Sequence, residues 1–247
     1  MNKIISFIYG IIAYLVFLVA FLYAIGFVGN LLVPKSINSG IEGTFLQALL
    51  INTLLLSVFA IQHSVMARPA FKVWITKFIN PAIERSTYVL LASLALMLIF
   101  WKWQPLTTIV WKVESEMIAL VLTGVYFLGW IVVLLSTFMI SHFELFGLLQ
   151  IYNNMKNRHT ENPKFQKNYF YKIVRHPIML GFIIAFWATP TMTVGHLMFS
   201  VITTLYILIA VKYLEEKDLT KAIGTAYEKY QNEVSMIIPF TKTRKSE

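Results

Sequence analysis

The sequence predicts an all-α, polytopic membrane protein of about six helices, four full spans followed by a C-terminal helical hairpin. Three observations carry this expectation. Of the 247 residues, 57% are hydrophobic and only 13% are charged, and the mean hydropathy is +0.67, a balance foreign to soluble domains. Several apolar runs reach the roughly 20 residues that a helix needs to cross a hydrocarbon core of about 30 Å. They are too long for buried strands and too numerous for a signal peptide. Finally, Lys and Arg are unevenly shared among the loops between these runs.

The first span is expected from about Ile4 to Val28 and the second from about Thr44 to Met66. The third runs from about Ser86 to Trp103, and the fourth from about Glu116 to Ile140. The stretch from Ile178 to Leu214 is too long for one helix, and Pro190 with Gly195 interrupts it. It reads as a hairpin of two helices, Ile178 to Thr189 and Thr193 to Leu214. The first of these rises only about 18 Å and falls short of a full crossing.

Cytoplasmic loops accumulate Lys and Arg. Arg68, Lys72, Lys77 and Arg85 lie between spans two and three. Lys156, Arg158, Lys164, Lys167, Lys172 and Arg175 lie between four and five. Lys212, Lys217, Lys221, Lys229, Lys242, Arg244 and Lys245 lie at or beyond the end of the last apolar run, and Lys3 precedes the first. Only Lys35, Lys102 and Lys112 fall on the other side, a split of eighteen against three. Both termini are therefore expected in the cytoplasm. The formal charge of +9 reflects this topology and attraction to anionic headgroups. Nucleic acid is not an expected partner, because the basic residues are scattered among loops.

With this topology, polar groups gather at one membrane depth. Span two ends near Gln62 and His63, and span four ends at His142 and Glu144. Span five begins at Arg175 and His176, and span six returns to Glu215 and Glu216. Ionisable side chains converging at a membrane rim are the ordinary form of a binding site there. Pro177 at the first helical position leaves His176 as the cap and exposes N–H groups at the positive end of a helix. Gly181 admits a close backbone approach. Each residue also has a plainer reading: His63 as a headgroup-level cap, Glu215 and Glu216 as a solvated face, Arg175 as a topological anchor. Cysteine is absent, which excludes disulfides, a thiolate nucleophile and cysteine-ligated metal sites.

Arg175-His176-Pro177, Gly181, Glu215-Glu216, Gly224, Tyr227, Tyr230 and Pro239 resemble the C-terminal signature of the isoprenylcysteine carboxyl methyltransferase-like membrane enzymes. One departure is Met179, where many members have a tyrosine, so that phenol contact is missing. The segments Gln62 to Pro69, Glu84 to Val89, His142 to Gly147 and Arg175 to Gly181 narrow the match. They resemble bacterial methanethiol S-methyltransferases, and in part the NnrU-type membrane proteins. The likeness runs from about Gln62 to Pro239.

The resemblance implies an inner-membrane, S-adenosylmethionine-dependent enzyme that methylates methanethiol to dimethyl sulfide, with its active site facing the cytoplasm. It implies one transmembrane domain over residues 1–247. Residues 1–145 would supply the acceptor side, and residues 170–240 the methyl-donor site. In that site Glu215 and Glu216 can take the ammonium or ribose of the donor. Arg175, with the helix N-terminus at Pro177 and Gly181, can take its carboxylate, and His176 its adenine or carboxylate. Tyr227 and Tyr230, three apart on a helix, can close over the adenine or sulfonium. They can equally anchor the tail at the interface.

Without a protein cysteine, the nucleophile must come from the substrate, and a small thiol needs help to ionise. His142 with Glu144 is the nearest pairing in sequence, and His63 is a second candidate base. Glu84 and Arg85 can serve the substrate side or pair with each other. No metal is required, since a sulfonium is already an activated leaving group. Other readings stay open: the same fold acting on a prenylcysteine carboxylate or a phospholipid amine, a non-enzymatic lipid-binding protein, or a b-type haem protein. Haem usually needs axial histidines deep in facing helices. Here three of the five histidines lie at the rim, and His159 is in a loop.

Overall fold

The long apolar runs become helices whose ends are set by local chemistry. The structure, a computed structural model, describes residues 2–159, 165 and 167–242. Lys164, Arg244 and Lys245 of the charge tally lie outside that set. Helix α1 (Lys3–Gly29) starts where the Asn2 side chain accepts the N–H of Ile4, and stops at Asn30 in the left-handed region. Helix α2 (Phe45–Ala67) is capped by the Thr44 hydroxyl. It ends because Pro69 forces Arg68 into an extended conformation, and Pro69 then opens the short α3 (Pro69–Ile75). Helix α4 (Glu84–Lys102) and strand β1 (Ile109–Lys112) follow.

Helix α5 (Glu116–Ile140) leads into two short helices, α6 (His142–Leu145) and α7 (Leu148–Met155). Helix α8 (Pro177–Trp187), strand β2 (Thr191–Thr193) and helix α9 (Val194–Ala210) form the expected interrupted hairpin. Strands β1 and β2 pair. Among the described residues, five helices are long and apolar enough to cross a membrane, as an integral membrane protein requires. At 11 residues, α8 rises only about 16 Å and is not among them.

The last span departs from expectation. The sequence predicts an end at Leu214, among the first charges, but the helix continues. After α9 comes a single π-helical turn, Val211–Glu215, and then α10 (Glu216–Ile223), an uninterrupted apolar-to-polar helix of 30 residues. The reason is that Glu216 finds partners and is buried, so the first charges do not have to leave the helix for water. Gly224, at φ +71°, turns the chain into α11 (Thr225–Glu233).

Two compact units interleave along the chain. The first comprises residues 1–110, 143–162 and 192–199. In it α4 packs on α1 and α2, and α7 packs on α1, with Ile151 of α7 occupying the space that a side chain at Gly10 would need. The second comprises residues 111–142, 163–191 and 200–247. Its main contact is between α5 and α8. A Cβ on Gly129 would stand 2.7 Å from the Gly181 carbonyl oxygen, and one on Gly181 would stand 2.7 Å from that of Gly129. The two backbones therefore touch, the packing mode by which membrane helices gain dispersion contact without a hydrophobic drive. The fourth span, grouped by sequence with the first three, thus has its principal partner in α8.

Candidate functional site

In the second unit the tail returns alongside the start of α8. Val174 and Ser235 form a parallel bridge. The Arg175 and His176 amides donate to the carbonyls of Ser235 (2.8 Å) and Met236 (3.1 Å). This places both side chains against Glu216 of α10. Arg175 grips the Glu216 carboxylate with two parallel bonds, Nε to Oε1 at 2.6 Å and Nη2 to Oε2 at 2.9 Å, the bidentate geometry that a guanidinium favours. Its Nη1 donates to the carbonyls of Gln231 (3.1 Å) and Val234, which closes the C-terminal end of α11. His176 Nε2 stands 3.0 Å from Glu216 Oε1, and its Nδ1 is 3.6 Å from Glu215 Oε1. Tyr227 Oη (3.4 Å) and Gln231 Nε2 (3.0 Å) complete the ring of donors to Glu216.

Two cations, Arg175 and protonated His176, thus face two carboxylates. Burial works against a charged imidazole, but the hydrogen bonds and charges of Glu215 and Glu216 outweigh it and push the pKa of His176 up to about 9. His176 is then an imidazolium at neutral pH, with both nitrogens donating. Burial first, and then the nearby carboxylates, raise the Tyr227 phenol well above its usual range, and it stays a neutral donor. Tyr230 donates to the Tyr171 carbonyl, and Phe165 meets Tyr227 and Tyr230 edge-on at 5.9 and 5.3 Å. Both tyrosines are 2% exposed, so an interfacial anchoring role is excluded for them.

The π turn separates the roles of the two adjacent glutamates. The Glu216 side chain is 10% exposed, whereas that of Glu215 is 43% exposed. A cavity of about 420 Å³, lined by Lys212, Glu216, Lys217, Thr220, Lys221 and Gln231, opens beside the cluster. Pro177 begins α8 as expected. The group that approaches the Gly181 backbone is the backbone of α5 at Gly129.

His142 closes the same unit at the end of α5. Its Nδ1 is 2.8 Å from Thr137 Oγ1, and its ring lies parallel to Phe138 at 4.2 Å. Burial lowers its pKa, which keeps the ring neutral. The remaining candidates belong to the first unit. His63 meets the Tyr88 hydroxyl, 3.0 Å from each ring nitrogen. Arg85 Nε donates to the Leu145 carbonyl at 2.7 Å, and its guanidinium lies 5.0 Å over the Tyr88 ring. Glu84 sits in the first turn of α4, where the helix dipole favours a carboxylate. The Glu144 carbonyl accepts from Gly147 and from Gln150 Nε2. His196 is buried near the start of α9, its amide bonded to the Thr193 hydroxyl at 3.2 Å. A second cavity, of about 550 Å³, includes Lys35, Glu42, Gln47 and Gln104 in its lining, toward the opposite end of α2 from His63.

Gln231 and Tyr88 were not singled out in the sequence. Both carry a signal in retrospect, since Gln231 follows Tyr227 by four residues on one face of α11, and Tyr88 follows Arg85 by three on α4.

The NnrU protein family matches residues 50–237. The chain is 53% identical to methanethiol S-methyltransferase 1 of Bradyrhizobium diazoefficiens, over 98% of this chain and 84% of that protein. It is 51% identical to methanethiol S-methyltransferase of Mycobacterium tuberculosis, over 97% and 98%. It is 52% identical to methanethiol S-methyltransferase 2 of B. diazoefficiens, over 94% and 88%. No solved structure matches.

Proposed function

The chain belongs to the NnrU protein family, among the methanethiol S-methyltransferases, and on that premise we propose that it methylates the sulfur of methanethiol to give dimethyl sulfide, with S-adenosylmethionine as donor. The observation that carries this reading is identity near one half along almost the whole chain. We place both termini and the site on the cytoplasmic side, a reading supported by the eighteen-to-three distribution of Lys and Arg, and the protein in a bacterial inner membrane, a reading supported by its bacterial relatives.

The donor set beside α10 fits such a ligand. S-adenosylmethionine carries a carboxylate, an ammonium, hydroxyls and a sulfonium. The cavity next to Glu216 offers a carboxylate, a hydroxyl, an amide and three ammonium groups. When bound, the donor supplies a methyl group on an activated sulfonium. The protein's part is to bind and orient. Glu216 and Glu215 are assigned to the positive and hydroxyl groups of the ligand. Arg175 and the His176 imidazolium hold those carboxylates in place and add positive charge for the ligand carboxylate. Pro177 starts α8 and Gly181 sets it against α5, while Tyr227 backs Glu216 and Tyr230 packs beside it, the pair being assigned to the adenine or sulfonium of the ligand. His63, His142 and Glu144 are the candidates for the thiol proton, with Glu84 and Arg85 beside the acceptor.

The test is incubation of membranes carrying the protein with methyl-labelled S-adenosylmethionine and methanethiol, a prenylated cysteine, phosphatidylethanolamine or no acceptor. Labelled dimethyl sulfide formed only with methanethiol is the expected result. Transfer only to lipid or prenylcysteine overturns the acceptor.

A further inference from the structure

Within the first unit, at the end of α2 away from His63, the segment between α1 and α2 meets the chain leaving α4 and encloses a cavity of about 550 Å³, a size ordinary for a small-ligand site. Its walls are held from behind. The Tyr23 hydroxyl donates to the Lys35 carbonyl at 2.9 Å and accepts the Lys35 N–H at 3.2 Å. Buried Asn52 exchanges two hydrogen bonds with the Gln104 backbone, at 2.8 and 2.9 Å. The Trp103 indole donates to the Ile37 carbonyl at 3.1 Å. With the backbone fixed in this way, the side chains are left to serve the cavity.

Those side chains divide by charge. Lys35 donates through Nζ to the Trp101 carbonyl at 2.6 Å, and the Lys102 ammonium sits 3.7 Å from the centre of the Trp101 ring. Neither ammonium is paired with a carboxylate among the described residues. Burial first, and then the charge of Lys102, hold the Lys35 ammonium below the usual lysine range. Two cations that repel each other at the edge of a cavity attract an anion. Glu42, in turn, accepts the Thr107 N–H at 3.2 Å and the Thr107 hydroxyl through Oε1 alone. The amide oxygens of Gln47 and Gln104 converge on Gly43, 3.2 and 3.6 Å from where a Cβ would stand. Three such acceptors suit a primary ammonium.

The rim decides the source of a ligand carrying both charges. Ile41, in the lining itself, is 91% exposed, and Leu32, Phe45, Leu46 and Trp101 are exposed beside it. Acyl chains cover apolar surface of this kind, and an exposed tryptophan marks headgroup level. A soluble zwitterion would leave it in water.

We propose that this cavity is a headgroup site for a phospholipid with a primary amine, of the phosphatidylethanolamine kind. The phosphate is assigned to Lys35 and Lys102, the ammonium to Glu42 and the two amide oxygens, and the acyl chains to the side of Ile41, Phe45 and Leu46. The inference is independent of the methyl-transfer reading.

The experiment titrates the full-length protein, delipidated in detergent, with phosphatidylethanolamine, phosphatidylcholine, phosphatidylglycerol and soluble glycerophosphoethanolamine. Bound molecules are counted by native mass spectrometry, and the unfolding midpoint is followed in parallel. Phosphatidylethanolamine should bind about 10-fold more tightly than phosphatidylcholine, whose quaternary ammonium has no N–H to donate, and should raise the midpoint. Glu42→Gln should bring that preference close to one, and Gln47→Leu should reduce it. Lys35→Met should weaken both lipids about 10-fold. Lys112→Met, which removes a lysine facing Glu114 outside the cavity, should change neither affinity. Equal affinity of the wild type for the two zwitterionic lipids, or a preference that survives in both Glu42→Gln and Gln47→Leu, overturns the site. Tighter binding of phosphatidylglycerol overturns the amine assignment, and equal affinity for the soluble headgroup overturns the lipid.

Discussion

The polar cluster around Glu216 and the one around His63 are built in opposite ways. At Glu216, four side chains deliver donors to one carboxylate and two cations face two anions. At His63, one neutral hydroxyl meets one imidazole in aromatic and thioether surroundings. A charged ligand requires the first kind of site, where desolvation must be repaid by preorganised charge. A small, apolar molecule requires the second kind, where a dense charge network would only exclude it.

That contrast can be broken most forcefully at its charged side. Arg175→Ala leaves Glu216 buried beside fewer cations, and it should destabilise the protein by about 3–5 kcal/mol while abolishing donor binding. Both are read from thermal unfolding in detergent and from calorimetry. An Arg175→Ala protein with wild-type melting and affinity would show that the pair is incidental. A pH titration comes next. Because the folded pKa of His176 is raised from 6.5 to about 9, its contribution is fully present below about pH 6.5 and is lost as pH rises through about 9. The loss should be on the order of 3 kcal/mol. Unfolding midpoints of wild type should therefore fall between pH 7 and 10, and those of His176→Gln should fall less.

Smaller effects probe the supports. Gly181→Ala puts a methyl group into the α5 backbone and should cost about 1–3 kcal/mol, moving α8 and weakening donor binding with it. A matched change at Gly124, where a Cβ meets nothing within 4 Å, should leave the melting temperature in place. Tyr227→Phe removes one long hydrogen bond to Glu216 and should cost no more than about 1 kcal/mol. A larger loss would mean that the phenol holds Glu216 more strongly than its 3.4 Å bond suggests.

The helices were legible in the sequence because their signals are local. Apolar length, a capping Asn2 or Thr44 and a stopping Pro69 need no distant partner, and Glu116–Ile140 is where the hydropathy put it. The grouping of Arg175, His176, Glu215, Glu216 and Tyr227 was legible because a hairpin returns its ends to one depth. What could not be read was which neighbour each side chain takes. Arg175 and Val234 are 59 positions apart, and no spacing rule announces their bond. The pairing of α5 with α8 depends on two glycines in different segments, each unremarkable alone. The continuation past Leu214 was hidden because charged residues normally signal a helix leaving the membrane, and only their partners reveal otherwise.

The π turn at Val211–Glu215 has a consequence for how this protein tolerates change. A π turn holds one residue more than an α turn of the same length, so the last long helix carries a spare position just before its functional end. Each α-helical residue turns the chain by about 100°. Deleting one residue between Val211 and Leu214 would let this turn close as an α turn and leave Glu216 facing Arg175 and His176, whereas a deletion in the regular α turns before Val211 would swing Glu216 by about 100° away from them. A one-residue deletion is absorbed at the π turn, while elsewhere along the helix it is felt as a rotation of the two adjacent glutamates.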